Sequence, residues 1–420
     1  MTIITMLEIT TLGGGQEIGR SSFLVDTGVE KFLIDYGLNS QNFTAPIEPP
    51  ANLDAVLLSH AHLDHCGMIP ALYNNGYINK VFATKTTLQL SELLLRDSIK
   101  IQGRKGLQPQ YFSNDIQKMM QNSEAVELGE KLEFSKTSVQ MLDAGHIPGS
   151  SSILLESGKT KLLYTGDIKY IETALMNPAY KDYKNIDAMM IESTYSYQNH
   201  TDRDQLVQKL KDKIKETVGK DGIVLLPSFA IGRTQEMLLL LSDIGVPIYM
   251  DGMGIDATRI ILNNPDSVKD PEKLKKAFGK AHKVEDIKDR KNVLNENCVV
   301  IASAGMLQGG PMHYYLRKLY KKENCLMIFN GFQPEGTTGR AVLEKHRIID
   351  GNSEVEVRMG IEFMDFSAHI GKDNLYRFIE QVNPKKVIPV HGGFVPEFVA
   401  ELKRRGFDAV GPKNGDVVKI

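Results

Sequence analysis

Cysteine is scarce in this chain. Cys66, Cys298 and Cys325 are the only three in 420 residues, and no two stand at a CxxC spacing. They build no disulfide framework, so each is expected to be a small buried residue of a protein kept in a reducing cytoplasm. Long apolar runs are missing as well. No stretch approaches the ~20 residues that cross a bilayer. Residues 1–11 lack the basic start and apolar length of a secretory signal, so no membrane partner is expected. A surplus of one charge is also absent: 50 Lys and Arg face 52 Asp and Glu, a net −2. There is no global basic signature for nucleic acid, and any polyanion groove must be built locally. Internal repeats, low-complexity tracts and long linkers are not found. What remains is an ordinary globular composition, 42% apolar and 24% charged, in a chain too long for one core, so two domains are expected.

What the chain does have is a concentration of histidine. Residues 53–58 form an apolar stretch that reads as a buried strand, and it runs directly into Ser59-His60-Ala61-His62-Leu63-Asp64-His65-Cys66-Gly67. Imidazole and carboxylate groups hold zinc or a similar divalent ion at about 2.0–2.2 Å. Four such groups within six positions exceed what one ion can use while keeping a site open for water. The spacing suggests two ions, His60 and His62 on one, Asp64 and His65 on the other.

Further candidates stand where other strands end. A first strand at 6–12 leads into Gly13-Gly14-Gly15-Gln16-Glu17-Ile18-Gly19, which does not fit the G-x-G-x-x-G fingerprint and is followed by strand-like residues, so a dinucleotide site is rejected. Strands at 22–25 and 31–34 follow, the second ending in Asp35-Tyr36-Gly37. Asp35 is either a turn former or a carboxylate that orients metal ligands. Helical spacing covers 71–75 and 86–101, and Arg96, Lys100, Arg104 and Lys105 make either a solvated face or an RNA-facing rim. Hairpin strands within 126–142 lead to His146, held between glycines in a way that aims a ligand from a rigid sheet. Strands at 152–156 and 161–165 end in Gly166-Asp167, whose two oxygens can bridge two ions. The strand at 387–390 ends in His391. From about 196 the pattern becomes alternating helix and strand, the mark of a parallel sheet covered on both faces. The charged run 266–291 reads as a solvated helical insertion. At 355–358 the earlier style returns. The expected organisation is therefore a first domain in two parts, 1–195 and 351–420, interrupted by an inserted domain at 196–350.

These residues carry a resemblance that spans nearly the whole chain. His60-Ala61-His62-Leu63-Asp64-His65 with His146, Asp167 and His391 resembles the H-x-H-x-D-H pattern and downstream ligands of the metallo-β-lactamase fold. The insertion is similar to the β-CASP domain of the nucleases of that superfamily. It carries Glu192-Ser193-Thr194-Tyr195, Pro227-Ser228-Phe229-Ala230-Ile231-Gly232-Arg233, Ser303-Ala304-Gly305-Met306-Leu307, Gly331-Phe332-Gln333-Pro334-Glu335-Gly336-Thr337 and Phe366-Ser367-Ala368-His369. The opening glycine motif and Ser367-Ala368-His369 most resemble the endonuclease subunit of the cleavage and polyadenylation specificity factor and its archaeal relatives. RNase J relatives, typically with Ser-Gly-His, are close. The N-terminal KH domains of some archaeal relatives and the long C-terminal extension of bacterial RNase J are expected to be absent. Tyr195-Ser196-Tyr197 stands where Tyr-Gly is common, and a local loop change is expected there.

The resemblance implies an α/β chain: an αββα metallo-β-lactamase sandwich with an inserted parallel β-CASP domain. It implies a zinc-dependent ribonuclease of single-stranded RNA, mainly endonucleolytic with 5′–3′ exonucleolytic action open, in RNA processing or decay. Two zinc ions are implied, one on His60, His62, His146 and Asp167, the other on Asp64, His65, Asp167 and His391. Such a pair activates water and clamps the displaced phosphate oxygens. Catalytic roles fall to Asp64, Glu192 and His369, with His369 protonating the leaving ribose oxygen and Glu192 orienting it. Ser228, Arg233, Gly305 and Gly336 lie where strands feed helices, so their backbone N–H groups can meet RNA phosphates. A homodimer and a place in an RNA-processing or decay complex are also implied. Two other classes compete. A hydrolase of thioesters or lactams leaves Glu192 and His369 without a task, and a non-catalytic scaffold subunit is expected to have lost ligands. A DNA-directed relative usually has valine where this chain has His391.

Overall fold

The computed structural model describes residues 7–350 and 353–420, so Met6, at the start of the first expected strand, and Gly351, at the expected domain boundary, lie outside the described residues. The chain divides into two compact units. The first combines the chain up to Glu172 with Asn177–Asn199 and His369–Ile420, and the second combines Thr173–Met176 with His200–Ala368.

The first unit is a pair of sheets between helices. One sheet has seven strands in the order Val417–Lys419, Glu8–Gly13, Ser22–Asp26, Lys31–Tyr36, Ala55–Leu57, Lys80–Ala83, Ser123–Ala125. The other has six, in the order Lys386–Val390, Ala188–Glu192, Thr160–Tyr164, Ser151–Ser157, Thr137–Asp143, Lys131–Glu133. Because side chains alternate across a strand, each strand serves two cores. Phe32, Ile34 and Leu57 meet Leu162, Tyr164, Met190 and Ile388 between the sheets. Leu33 and Val56 pack instead with Leu88 and Leu95 of the helix Lys85–Arg104. Leu163, Met189 and Val387 pack with Leu375 and Phe378 of Lys372–Val382 and with Phe398 of Val395–Arg404. This is the expected αββα sandwich. All three cysteines are buried and free. Arg96, Lys100, Arg104 and Lys105 are exposed, and Arg96 pairs with Glu92 one turn earlier.

The second unit holds six parallel strands in the order His282–Val284, Ile248–Asp251, Val299–Ala302, Val224–Pro227, Leu326–Phe329, Gly360–Phe363. Its strands are apolar on both faces, with Leu225, Val300 and Met327 in one core and Leu226, Ile301 and Ile328 in the other. The charged run at 266–291 is mixed. It contains the helix Pro271–Lys280 but also the edge strand His282–Val284.

The expected end of the insertion at 350 needs correction, because the following strands stay in the second unit. Ser353–Glu356 pairs with Arg347–Asp350, and Gly360–Phe363 adds in parallel to Leu326–Phe329. The return comes at His369. At its start, the chain remains with the first unit up to Asn199 rather than leaving at 196. Among the described residues, no helix is long and apolar enough to cross a membrane.

Candidate active site

Strand direction brings the candidate residues to one edge of the first unit. Thr160–Tyr164, Ala188–Glu192 and Lys386–Val390 are adjacent and parallel. Their carboxyl ends therefore deliver Asp167, Glu192 and His391 side by side. Thr137–Asp143 is antiparallel to Ser151–Ser157, which is antiparallel to Thr160–Tyr164, so it runs the same way and delivers His146. Gly145 makes that exit possible: its φ is +66°, and a Cβ there would stand 2.7 Å from the backbone of Asn177 and Ala179. In the other sheet, Lys31–Tyr36 and Ala55–Leu57 are parallel, placing Asp35 beside the turn that carries His60 and His62. Asp64 and His65 sit on the short helix Leu63–Cys66. Gly37 lets that helix close in, since a Cβ there would lie 1.8 Å from the Asp64 carbonyl oxygen.

The seven candidate ligands converge around Asp167. Its Oδ2 lies 3.5 Å from His60 Nε2 and 3.6 Å from His146 Nε2, while Oδ1 lies 3.4 Å from His391 Nδ1 and 3.6 Å from His65 Nε2. His62 Nδ1 is 3.3 Å from His146 Nε2, and Asp64 Oδ2 is 3.3 Å from His391 Nε2. His60, His62, His146 and Asp167 form one group able to hold an ion, Asp64, His65 and His391 form another, and Asp167, Glu192 and His391 form a third that overlaps both.

Three features fit divalent cations. Two ligand atoms about 2.1 Å from one tetrahedral ion stand roughly 3.4 Å apart, which is the spacing found here and is too long for good direct hydrogen bonds. His60 Nε2, His65 Nε2 and Asp167 Oδ1 are buried without a hydrogen-bond partner, a costly state that coordination relieves. Charge points the same way. Asp35, Asp64, Asp167 and Glu192 gather with few cations to offset them. Burial, followed by the neighbouring histidines, holds His60 well below its usual pKa. Burial likewise brings His62 down to about 4 despite Asp64, so both rings are in the neutral form that binds metal. His65 is opposite: burial lowers it, but Asp167 and Asp35 outweigh that and raise it to about 10.

Asp35 holds the cluster from behind. Fully buried, it accepts from His65 Nδ1–H at 2.7 Å, from Tyr164 O–H at 2.8 Å and from Ser59 through both N–H and O–H at 2.8 Å. Ser59 Oγ also lies 3.0 Å from His60 Nδ1, so that ring can donate to it. The carboxylate orients two ligand rings and directs both Nε2 atoms toward Asp167. An amide cannot receive four donors. Asp35→Asn keeps the size and tolerates the φ of +55°, yet is expected to weaken metal affinity by about 10–100-fold. Chelator competition measures this, and unchanged affinity would remove the orienting role.

Beside the cluster, His369 Nδ1 donates to Glu192, 2.9 Å from Oε2 and 3.1 Å from Oε1. Glu192 is 1% exposed and His369 21%. Ile168 N–H fixes Oε1 at 2.8 Å. Lys169 Nζ–H donates to the His369 carbonyl at 2.8 Å. Sequence reading missed Lys169, Ser59, Tyr164 and Thr194, whose hydroxyl approaches His391 Nδ1 at 3.3 Å. The signal available was adjacency, since Ser59 precedes His60, Lys169 follows Asp167 by two and Thr194 follows Glu192 by two.

The four expected phosphate-contact residues belong to the second unit. Two of them need correction. Ser228 is fully buried, donating its N–H to Ala302 and accepting from Asn330. Arg233 is 6% exposed, pairs with Glu236 and gives its N–H to the Ile231 carbonyl. Their N–H groups are therefore already used, and the Arg233 guanidinium is needed by a buried carboxylate. Gly305 is buried against Phe229, and Gly336 is exposed with φ +78°.

Three family models cover most of the chain. Residues 7–219 match the Anti-Pycsar protein Apyc1 family, residues 234–342 the Beta-Casp domain, and residues 354–410 the Zn-dependent metallo-hydrolase RNA specificity domain. The probable RNase MJ4 of Methanocaldococcus jannaschii is 34% identical over 99% of this chain and 100% of its own length. RNase aCSPSF2 of Saccharolobus solfataricus is 36% identical over 97% of this chain and 84% of its own. The transcription termination factor FttA of M. jannaschii is 33% identical over 92% of this chain and 67% of its own. A crystal structure of a protein of unknown function from Enterococcus faecalis V583 shares the fold, with a TM-score of 0.61 at 15% identity over 99% of this chain and 100% of that one.

Proposed function

Because the chain belongs to the β-CASP metallo-β-lactamase ribonucleases of the archaeal cleavage and polyadenylation specificity factor type, we propose that it hydrolyses internal phosphodiester bonds of single-stranded RNA with two zinc ions and His369 as the general acid. The observation that carries this reading is Asp167, whose two oxygens face different imidazole pairs while His369 stands 3.8 Å from Oδ2. A donor set of imidazoles and carboxylates suits zinc. His60, His62, His146 and Asp167 would hold one ion, and Asp64, His65, Asp167 and His391 the other. Bound there, the ions supply Lewis acidity that activates water and offsets charge on the scissile phosphate.

The protein's own groups do the rest. Glu192 holds the Nδ1–H of His369, leaving Nε2–H as the proton to give to the leaving ribose oxygen. Glu192 is buried and His369 reaches solvent, the arrangement an acid needs to touch substrate while its orienting partner stays dry. The ligands His60, His146, Asp167 and His391 are all nearly buried, so the phosphate must come to a recessed centre. An unpaired strand can bend into such a recess, whereas a duplex holds its backbone on a wide rigid cylinder.

One RNA labelled at the 5′ end and again at the 3′ end, alone, annealed to its complement, and beside matched DNA, tests the proposal. The expected result is interior cleavage of the unpaired RNA, with the annealed interior and the DNA resisting. Equal interior rates for unpaired and annealed RNA would overturn the single-strand reading, and only mononucleotide release from the 5′ end would overturn the endonucleolytic one. A homodimer, a cytoplasmic site of action and membership of an RNA-processing or decay complex are also proposed. They rest on the resemblance and composition, and sedimentation tests the dimer.

A further inference from the structure

We propose that Tyr197 and Phe394 form a stacking platform for one nucleobase of the RNA whose neighbouring phosphate occupies the metal-ligand cluster; this rests on the ribonuclease reading above. The two rings are 41% and 46% exposed and touch each other, with centroids 4.7 Å apart at 44°. Single exposed aromatics are common, but a mutually packed pair beside a polar centre is a small apolar surface that wants a cover.

A chain of rings ties that surface to the proposed acid. Tyr197 stacks on the buried Tyr195 at 6.2 Å and 12°, and Tyr195 faces His369 at 6.1 Å. The platform is thus two ring spacings from the group that touches the reacting phosphate. A neighbouring nucleotide of the same strand spans such a separation, which makes the strand itself the fitting occupant. Tyr197 enters at Tyr195-Ser196-Tyr197, the sequence feature from which only a loop change was expected.

The platform is also held still. Ser196 N–H donates to Ser193, Gln198 N–H to Tyr195, and Lys372 N–H to Gln198. Asp373 N–H donates to Asn199 Oδ1 at 2.9 Å. Phe394 follows Gly392 and Gly393 and precedes the helix Val395–Arg404. The backbone at Gly392 lies so close to Ser193 that a Cβ would approach its hydroxyl to 2.3 Å. Both rings therefore sit on anchored backbone, and little ordering is needed on binding. Stacking accepts any base, because every base has a π-face. It also supplies affinity that a chain of net charge −2 does not get from bulk electrostatics.

The test uses the metal-loaded protein, single-stranded RNA, and bis(4-nitrophenyl) phosphate as a substrate with no flanking nucleotide. Tyr197→Ala and Phe394→Ala are each expected to lower kcat/KM on RNA by about 5- to 150-fold, mainly through KM. Hydrolysis of the small diester and the salt dependence of RNA binding should be unchanged, since no phosphate contact is lost. Tyr197→Phe and Phe394→Tyr should retain wild-type behaviour. Scanning an abasic site along the RNA should find one position where the wild type loses as much as Tyr197→Ala, and where Tyr197→Ala loses nothing more. An equal loss on the small diester would make the rings structural. Additive losses at every abasic position, or a change of oligomeric state in Phe394→Ala with RNA kinetics intact, would also overturn the platform. A wild-type protein that leaves RNA uncut while hydrolysing the small diester would instead remove the ribonuclease reading itself.

Discussion

Asp167→Ala should leave the protein with one or no bound zinc ion and lower RNA cleavage by more than ~10³-fold, over about 4 kcal/mol of transition-state stabilisation. The reason is geometric. Asp167 alone among the ligands faces both groups, Oδ2 toward His60 and His146, Oδ1 toward His65 and His391, so its loss opens both coordination sets at once. Elemental analysis after dialysis should give about two zinc ions in the wild type. Trace zinc in a fully active wild-type protein would sink the assignment. Added zinc should raise the melting temperature of the wild type far more than that of the variant.

The metal-centred edge was legible because its chemistry is written at strand ends. Each apolar run that ends in a ligand can be read locally, and parallel order brings those ends together. Where the reading failed, the deciding contact was remote. Residues 355–358 look like a strand in any context; that Ser353–Glu356 pairs with Arg347–Asp350, and so remains in the second unit, depends on a partner that local pattern does not reveal. Arg233 is similar. An arginine at a strand-to-helix turn suggests a phosphate contact, but Glu236, three residues on, is buried and claims both Arg233 and Arg203. The helix Lys372–Val382 did carry a readable stripe in Leu375, Phe378, Ile379 and Val382, masked by the strand-rich style of its surroundings. Asp35 stood undecided between a turn former and an orienting carboxylate because composition cannot count donors. In the fold four donors meet its carboxylate, two of them from Ser59 beside His60 and one from His65.

His369→Ala should slow single-turnover cleavage by about 10²–10⁴-fold, the range for loss of a general acid, while zinc content and RNA affinity stay near wild type. His369 lies outside all three side-chain groups able to hold an ion, which is why chemistry and metal binding should separate here as they do not in Asp167→Ala. The pH profile distinguishes an acid from a mere packing residue. Burial alone would lower the His369 pKa, but Glu192, then Asp167, outweigh burial and raise it to about 9. A group with a raised pKa keeps its proton through neutrality and gives it up as pH climbs through that value. Cleavage should therefore hold near pH 7 and fall on an alkaline limb at or below about pH 9, since bound cations push the value down from there. Glu192→Gln removes the main raising cause and leaves burial, so its limb should shift to lower pH with activity partly restored on acidification. An RNA with a better leaving group at the scissile bond, which needs no proton, should recover most of the rate lost in His369→Ala. Undiminished cleavage in His369→Ala, or a Glu192→Gln profile with the wild-type limb, would take the acid's role away from His369.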